Sequence, residues 1–281
     1  MYKRQEQEET GFKKNTKEIF LILGNGAAGI NAAKAIRERN ETASVVIVSN
    51  EEALSYNRPM LTKSMLANFD PSQIAIYDQA WYEENRIINV LGKEVKRIDV
   101  KEKEVVFNDG IRLKYDKCIY ALGAECFIPP VKGIDKKEVV AIRRISDTVK
   151  VSEFLKTAKN VVVIGGGVLG LEAAWEISKT GCTVTVLEVA DKLMGRQLDS
   201  GASQTLEEII RSHDIDLYLN ASVEEILGDD RVTGVKLKDG TLVEADLIIV
   251  SSGVRANTKI AKDVYKRQVA RPVLESLLII S

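Results

Sequence analysis

The chain has 281 residues, 45% hydrophobic and 29% charged, a length that accommodates one large domain or two of ordinary size. Forty Lys and Arg against forty-one Asp and Glu leave no charge excess to favour nucleic acid or a membrane surface as partner. The longest apolar run, Val161 to Ala174, is broken by four glycines and is no membrane span, and the three cysteines are too scattered for a disulfide framework or a metal site.

In chain order, residues 1–17 form a polar, charge-dense stretch, expected to be a disordered or non-native tail rather than a secretory signal. Glu18 to Leu23 is a β-prone run ending in glycines; a helical stretch from Ala27 to Arg39 and a second apolar run, Ala43 to Val48, complete a βαβ pattern. Glu94 to Phe107 alternates as antiparallel strands do, with Asn108-Asp109-Gly110 as turn. Lys117 to Leu122 is a further strand, and Pro129-Pro130 beside Gly133 marks a crossover between domains. The pattern then recurs: strand Val161–Ile164, turn Gly165–Gly170, helix Leu171–Thr180 and strand Thr183–Glu188. Val223 to Leu237 alternates again, with Lys238-Asp239-Gly240 as its turn, and Ala245 to Val250 is the last strand. The predicted fold class is α/β, two Rossmann-like three-layer domains with antiparallel β insertions.

Two glycine loops carry the chemistry. The first reads Gly24-Asn25-Gly26-Ala27-Ala28-Gly29. Its first glycine permits a tight turn, its second lets the backbone approach a pyrophosphate, and its third allows helix to pack on strand. The anion then meets free N–H groups at the helix N-terminus, those of Ala27 and Ala28 among them. Glu51, after the next strand, is placed to accept hydrogen bonds from an adenosine ribose. The second loop has the same spacing in Gly165, Gly167 and Gly170, with Val168 and Leu169 between. Its following strand ends in Glu188, a carboxylate suited to ribose hydroxyls and repulsive to a 2′-phosphate, so NADH is expected over NADPH. Lys192 and Arg196 downstream soften that preference. Two dinucleotides in one chain imply electron exchange between them.

From about Ile19 to Lys262 the chain resembles the FAD-dependent pyridine nucleotide-disulfide oxidoreductases. The likeness is greatest to NADH:rubredoxin reductases and to the N-terminal flavin module of nitrite reductase large subunits. The residues that carry it are Tyr56-Asn57-Arg58-Pro59-Met60-Leu61-Thr62-Lys63, Ile128-Pro129-Pro130-Val131-Lys132-Gly133, Leu193-Met194-Gly195-Arg196-Gln197-Leu198-Asp199, and Ala245-Asp246 through Gly253-Val254-Arg255-Ala256-Asn257. The resemblance implies FAD and NADH as cofactors, an FAD domain beginning at 18–127, an NAD domain at 128–253, and a return toward the FAD domain from 254 to 262. It places Arg58 near the FAD pyrophosphate, Lys63 near the isoalloxazine and the backbone of Val95 at the adenine. Glu172 falls where nicotinamide and flavin stack, and Gly253 near NADH. Alternatively, Arg58 and Lys63 are ordinary surface-loop residues, and Glu172 extends the first turn of its helix, where the dipole favours a carboxylate.

Three departures qualify the likeness. The segment usually written Ala-Thr-Gly reads Ala121-Leu122-Gly123. No redox cysteine pair is present, which argues against sulfur relay chemistry; Cys118, Cys126 and Cys182 read as small buried hydrophobes. The family pattern stops near Lys262, before the second FAD segment and interface domain, so the chain reads as truncated at its C-terminus. Residues 263–281 read as a non-native or disordered end, and Tyr265-Lys266-Arg267-Gln268 repeats Tyr2-Lys3-Arg4-Gln5 as a shared adapter sequence would. The implied reaction is hydride transfer from NADH to FAD, with electrons leaving to a small carrier protein such as rubredoxin, in a cytoplasmic setting. The alternatives are the flavin module of an NADH-dependent nitrite reductase and a non-catalytic redox sensor. His213, the sole histidine, is given no catalytic role.

Overall fold

Two parallel β-sheets organise the computed structural model, which describes residues 15–63, 70–262 and 277–279. The described chain divides into two units. One comprises residues up to Tyr56, then Ala75–Gly123 and those from Ala256 onward; the other comprises Asn57–Ile74 and Ala124–Arg255.

In the first unit β1 (Ile19–Leu23) leads through a glycine turn into α1 (Ala27–Arg39) and back to β2 (Ser44–Val48). After α2 (Gln79–Glu84) come β3 (Ile87–Val90) and, beyond a three-stranded antiparallel ribbon, β4 (Lys117–Tyr120). β1 pairs in parallel with β2 on one side and β4 on the other; β3 lies outside β2, and Leu277–Ile279 outside β4. Strand order therefore reverses beside β1, the switch point at which such sheets present a crevice. Successive side chains of β1 point to opposite faces. Ile22 packs with Ile30 and Ala33 of α1 and with Tyr82 of α2. Leu21 and Leu23 pack with Val95, Ile98, Val105 and Phe107 of the ribbon. Helices, sheet and ribbon thus form three layers. Each fully buried Leu, Ile, Val or Phe among them contributes about 1.5–3 kcal/mol.

Among the described residues, one ionic side chain lies in this core. Arg37, 8% exposed, donates to the carbonyls of Asn40, Glu41, Asn85 and Arg86, so it ties the C-terminal ends of α1 and α2 together. Burial, with Arg86 nearby, lowers its pKa.

The second unit repeats the plan. β5 (Val139–Val140) and α3 (Ile145–Leu155) precede β6 (Asn160–Ile164), α4 (Val168–Ser178) and β7 (Thr183–Leu187). α5 (Ser200–Ser212), β8 (Ile215–Tyr218), a second antiparallel ribbon and β9 (Leu247–Val250) follow. The parallel order is β8-β7-β6-β9-β5, with the reversal beside β6. Val161 and Val163 face Ala173, Ala174 and Ile177 of α4, while Val162 and Ile164 face Ile226, Val235 and Leu237 of the ribbon.

The predicted strands and both hairpin turns are found, and α1 has its predicted bounds. One helix differs. α4 begins at Val168, not Leu171, because the loop's third glycine, Gly170, lies inside its first turn. The expected adapter-like end falls largely on residues outside those described; of it, Leu277–Ile279 form a strand beside β4. The N-terminal tail is likewise described only from residue 15. Cys118 is buried as expected, but Cys126 and Cys182 are only partly so.

Candidate functional site

Each glycine loop follows the central strand of its sheet, and its three key glycines differ in their steric surroundings. Gly24 has φ +115, and a Cβ there would stand 2.0 Å from the Ala121 carbonyl oxygen. At Gly29 a Cβ would stand 1.9 Å from the Gly24 carbonyl oxygen. At Gly26 it would meet nothing within 4 Å. The second loop reproduces this: Gly165 (φ +113) abuts the Ser251 carbonyl, Gly170 abuts the Gly165 carbonyl, and Gly167 faces open space. The first and third glycines are thus required by the protein's own packing. The middle ones are not; their bare backbone leaves room for something outside the chain.

Capping points the same way. Asp78 and Asp199 cap α2 and α5 by accepting from the N–H of Trp81 and Ala202, and Asp147 accepts from Arg144 at the start of α3. α1 and α4 begin at Gly26 and Gly167 without a side-chain cap. Their first N–H groups, the positive ends of two helix dipoles, are suited to an anion.

The two acidic residues differ in setting. Glu51 accepts from the Tyr56 hydroxyl at 2.6 Å, in the loop after β2. Glu188, directly after β7, accepts from the Gly166 N–H at 2.7 Å and the Ala190 N–H at 2.9 Å, so its carboxylate is latched to the glycine loop. Val95 is buried against β1 at an irregularity of the first ribbon. Ala121 donates its N–H to the Leu23 carbonyl, and Gly123 (φ +63) accepts from Asn257. Leu122, in place of a hydroxyl residue, packs on the ribbon core. Gly253 (φ +94) accepts from the Phe127 N–H.

Within the second unit, Arg58 to Thr62 form a short 3-10 helix that packs against α4. It brings Lys63 Nζ to 3.3 Å from Glu172 Oε1. The Thr62 hydroxyl donates to Glu172 Oε2 at 3.1 Å. Glu172 lies in the second turn of α4, beyond the reach of a first-turn dipole effect, and its partners are these two side chains. Arg58 donates to the Arg143 carbonyl.

Residues 20–271 match the family model described as pyridine nucleotide-disulphide oxidoreductase. The chain belongs to that family. The match passes Lys262, where the likeness read from motifs stops. Among relatives of this oxidoreductase chain is a nitrite reductase [NAD(P)H] of Bacillus subtilis, 38% identical over 249 residues, or 88% of this chain and 31% of that protein. An NADH oxidase of Methanocaldococcus jannaschii is 32% identical over 253 residues, 86% of this chain and 56% of its own length. The crystal structure of the ferredoxin reductase for the CYP199A2 system of Rhodopseudomonas palustris superposes with a TM-score of 0.84 at 27% identity, across 88% of this chain and 62% of that one. The chain spans less than two thirds of each of these proteins.

Members of this family bind FAD and a pyridine nucleotide, and the residues present fit both. Each loop offers an uncapped helix N-terminus and a cradle that a Cβ would fill. The oxidoreductase fold also has a buttress that the motifs did not disclose. Asp116 accepts from the Ile19 N–H at the start of β1, and Asp246 accepts from Lys159 and Asn160 at the start of β6. A signal for them existed: Gly110, Asp116 and Gly123 have the same spacing as Gly240, Asp246 and Gly253. Among the described residues no helix is long and apolar enough to cross a membrane.

Proposed function

We propose that this chain is the NADH-oxidising flavin unit of a reductase, with FAD on the first loop and NADH on the second. The observation that carries it is the duplicated loop: an uncapped helix behind a glycine with open space at its Cβ position, once in each unit. Bound FAD would accept a hydride from NADH and release the electrons to a protein acceptor. The N–H groups of Gly26, Ala27, Ala28 and Gly29 would hold one pyrophosphate, beside Gly24, Ala121 and Gly123; those of Gly167, Val168, Leu169 and Gly170 would hold the other. Glu51 and Glu188 would take the ribose hydroxyls. The latch on Glu188 keeps its negative charge where a 2′-phosphate would lie, which supports NADH over NADPH. By family resemblance Arg58 serves the FAD pyrophosphate, the Val95 backbone the adenine and Gly253 the NADH. By the same resemblance Lys63, whose ammonium lies 3.3 Å from Glu172, would supply a cation for negative charge on the hydride acceptor.

The acceptor proposed is a small electron-carrier protein of ferredoxin or rubredoxin type, a class supported by the ferredoxin reductase structure. A second reading, the flavin module of a nitrite reductase, is favoured by the 38% identity to that enzyme. The test is an anaerobic visible spectrum of the full chain supplied with FAD, before and after NADH or NADPH. Bleaching of the flavin bands by NADH, and less readily by NADPH, is expected. A flavin that neither nucleotide bleaches, in protein that still binds NADH, overturns the proposal. Reduction of an added carrier by the bleached protein separates the two acceptors.

A further inference from the structure

Thr62 and Lys63 are consecutive, and both reach the same carboxylate from a segment 110 positions away from it. We propose that Thr62 is a positioning residue for hydride transfer. Its hydroxyl fixes the orientation of the Glu172 carboxylate, and thereby the place of the Lys63 ammonium. The proposal rests on the role given above to the Lys63–Glu172 pair.

The pair needs such help. The Lys63 side chain is 46% exposed and that of Glu172 26%. An ion pair so open to solvent is screened and worth little, and both side chains are long enough to hold several arrangements at nearly equal free energy. Thr62 is different in kind. It is 5% exposed, next to buried Leu61, and β-branching limits its χ1. Its backbone ends a helix whose φ is fixed at Pro59, and the following N–H, that of Lys63, donates to the Met60 carbonyl at 3.1 Å. The hydroxyl is therefore a donor at a nearly fixed point. With Oε2 held there, the directions from which Oε1 can meet the ammonium are narrowed.

A threonine has a blander use, to satisfy its hydroxyl on a nearby backbone carbonyl, as the exposed Thr180 does with Ile177. Thr62 instead spends its hydrogen bond on a charged side chain of another helix. Electrostatic aid to a transfer step depends on donors fixed in advance, and misplacement by about 1 Å can cost about a hundredfold. A valine in place of Thr62 keeps shape and burial and removes only the donor.

The experiment compares wild type, Thr62→Val, Thr62→Ser, Lys63→Met and Glu172→Gln as full chains supplied with FAD. Anaerobic stopped flow gives the limiting rate of flavin reduction and the apparent Kd for NADH. Thr62→Val is expected to lower the limiting rate about tenfold, the scale of one hydrogen bond lost from the transition state, with Kd little changed. Thr62→Ser is expected to restore the rate. In flavin-free protein, the side-chain 15N signal of Lys63 is expected to move in Thr62→Val toward its position in Glu172→Gln, and to stay put in Thr62→Ser. An unchanged rate and 15N signal in Thr62→Val, with Lys63→Met and Glu172→Gln slowed, overturn the role of Thr62 alone. A raised Kd at unchanged limiting rate does the same. Wild-type rates in Lys63→Met and Glu172→Gln overturn the underlying role of the pair. If Thr62→Val fails to fold, Thr62→Ala is read by the same criteria.

Discussion

At Gly26 and Gly167 the backbone is not what demands glycine. Their φ values of −88 and −79 suit alanine, and a Cβ would touch nothing in the protein. Gly26→Ala and Gly167→Ala are therefore expected to leave the unfolding free energy unchanged, within about 0.5 kcal/mol. Binding of FAD and NADH respectively, followed by fluorescence titration, is expected to weaken about tenfold or more, because on the proposed reading the methyl would stand where a pyrophosphate binds. Gly29→Ala and Gly170→Ala invert the pattern. Their Cβ atoms would overlap a carbonyl, and unfolding free energy is expected to fall by about 3 kcal/mol. Glu188→Gln keeps the side chain's size and removes its charge; kcat/KM for NADPH is expected to rise about tenfold relative to NADH. At this scale the sequence was informative, since spacing alone assigns each glycine its steric task. The Gly166–Glu188 latch was not legible, because it joins residues 22 positions apart through a side-chain rotamer.

Elements were legible where hydrophobic period and glycine punctuation agree, as in β1, α1 and β6. They were less so where a glycine is helical: Gly170 looks like loop and belongs to α4. Arg37 illustrates a deeper limit. A basic residue in the last turn of α1 reads as a favourable surface charge. That four carbonyls from the ends of two helices converge on it depends on how α2 docks, and α2 lies more than forty residues on. Arg37→Met fills the same space without donors. It is expected to cost about 1–3 kcal/mol in urea unfolding, because the Asn40 carbonyl left behind is buried and the other three are partly so. Asp116→Ala and Asp246→Ala, which strip the N–H partner from the first residue of each central strand, are expected to cost about 1–2 kcal/mol each.

For the whole molecule, the two units differ in what they bury. The first holds Tyr82, Tyr115 and Tyr120, whose phenols burial pushes up, and Cys118, 1% exposed, whose thiol burial pushes up to about 12. The second holds only one such group among the described residues, Cys126. Groups with raised folded values cost nothing below their unfolded values, 9.0 for the thiol and 10.0 for the phenols, and destabilise the fold as pH climbs past them. Each unit carries one of the two tryptophans, Trp81 and Trp175. Trp175→Phe leaves a reporter of the first unit, and Trp81→Phe one of the second. Above about pH 9 the guanidinium midpoint reported by Trp81 is expected to fall further than that reported by Trp175. Coincident midpoints at every pH would count against this uneven burial. That there are two units was legible from the repeated βαβ pattern. That Asn57–Ile74 belongs with the second was not, since its attachment is made by Thr62, Lys63 and Arg58 to residues far along the chain.

That interleaving sets a timetable for synthesis. Thr62 leaves the ribosome 110 residues ahead of Glu172. At about 5–20 residues per second, the segment waits roughly 5–20 s for the helix it will dock on. Through that interval Leu61, buried in the finished protein, is exposed to chaperones and proteases while β1, α1 and β2 already have one another.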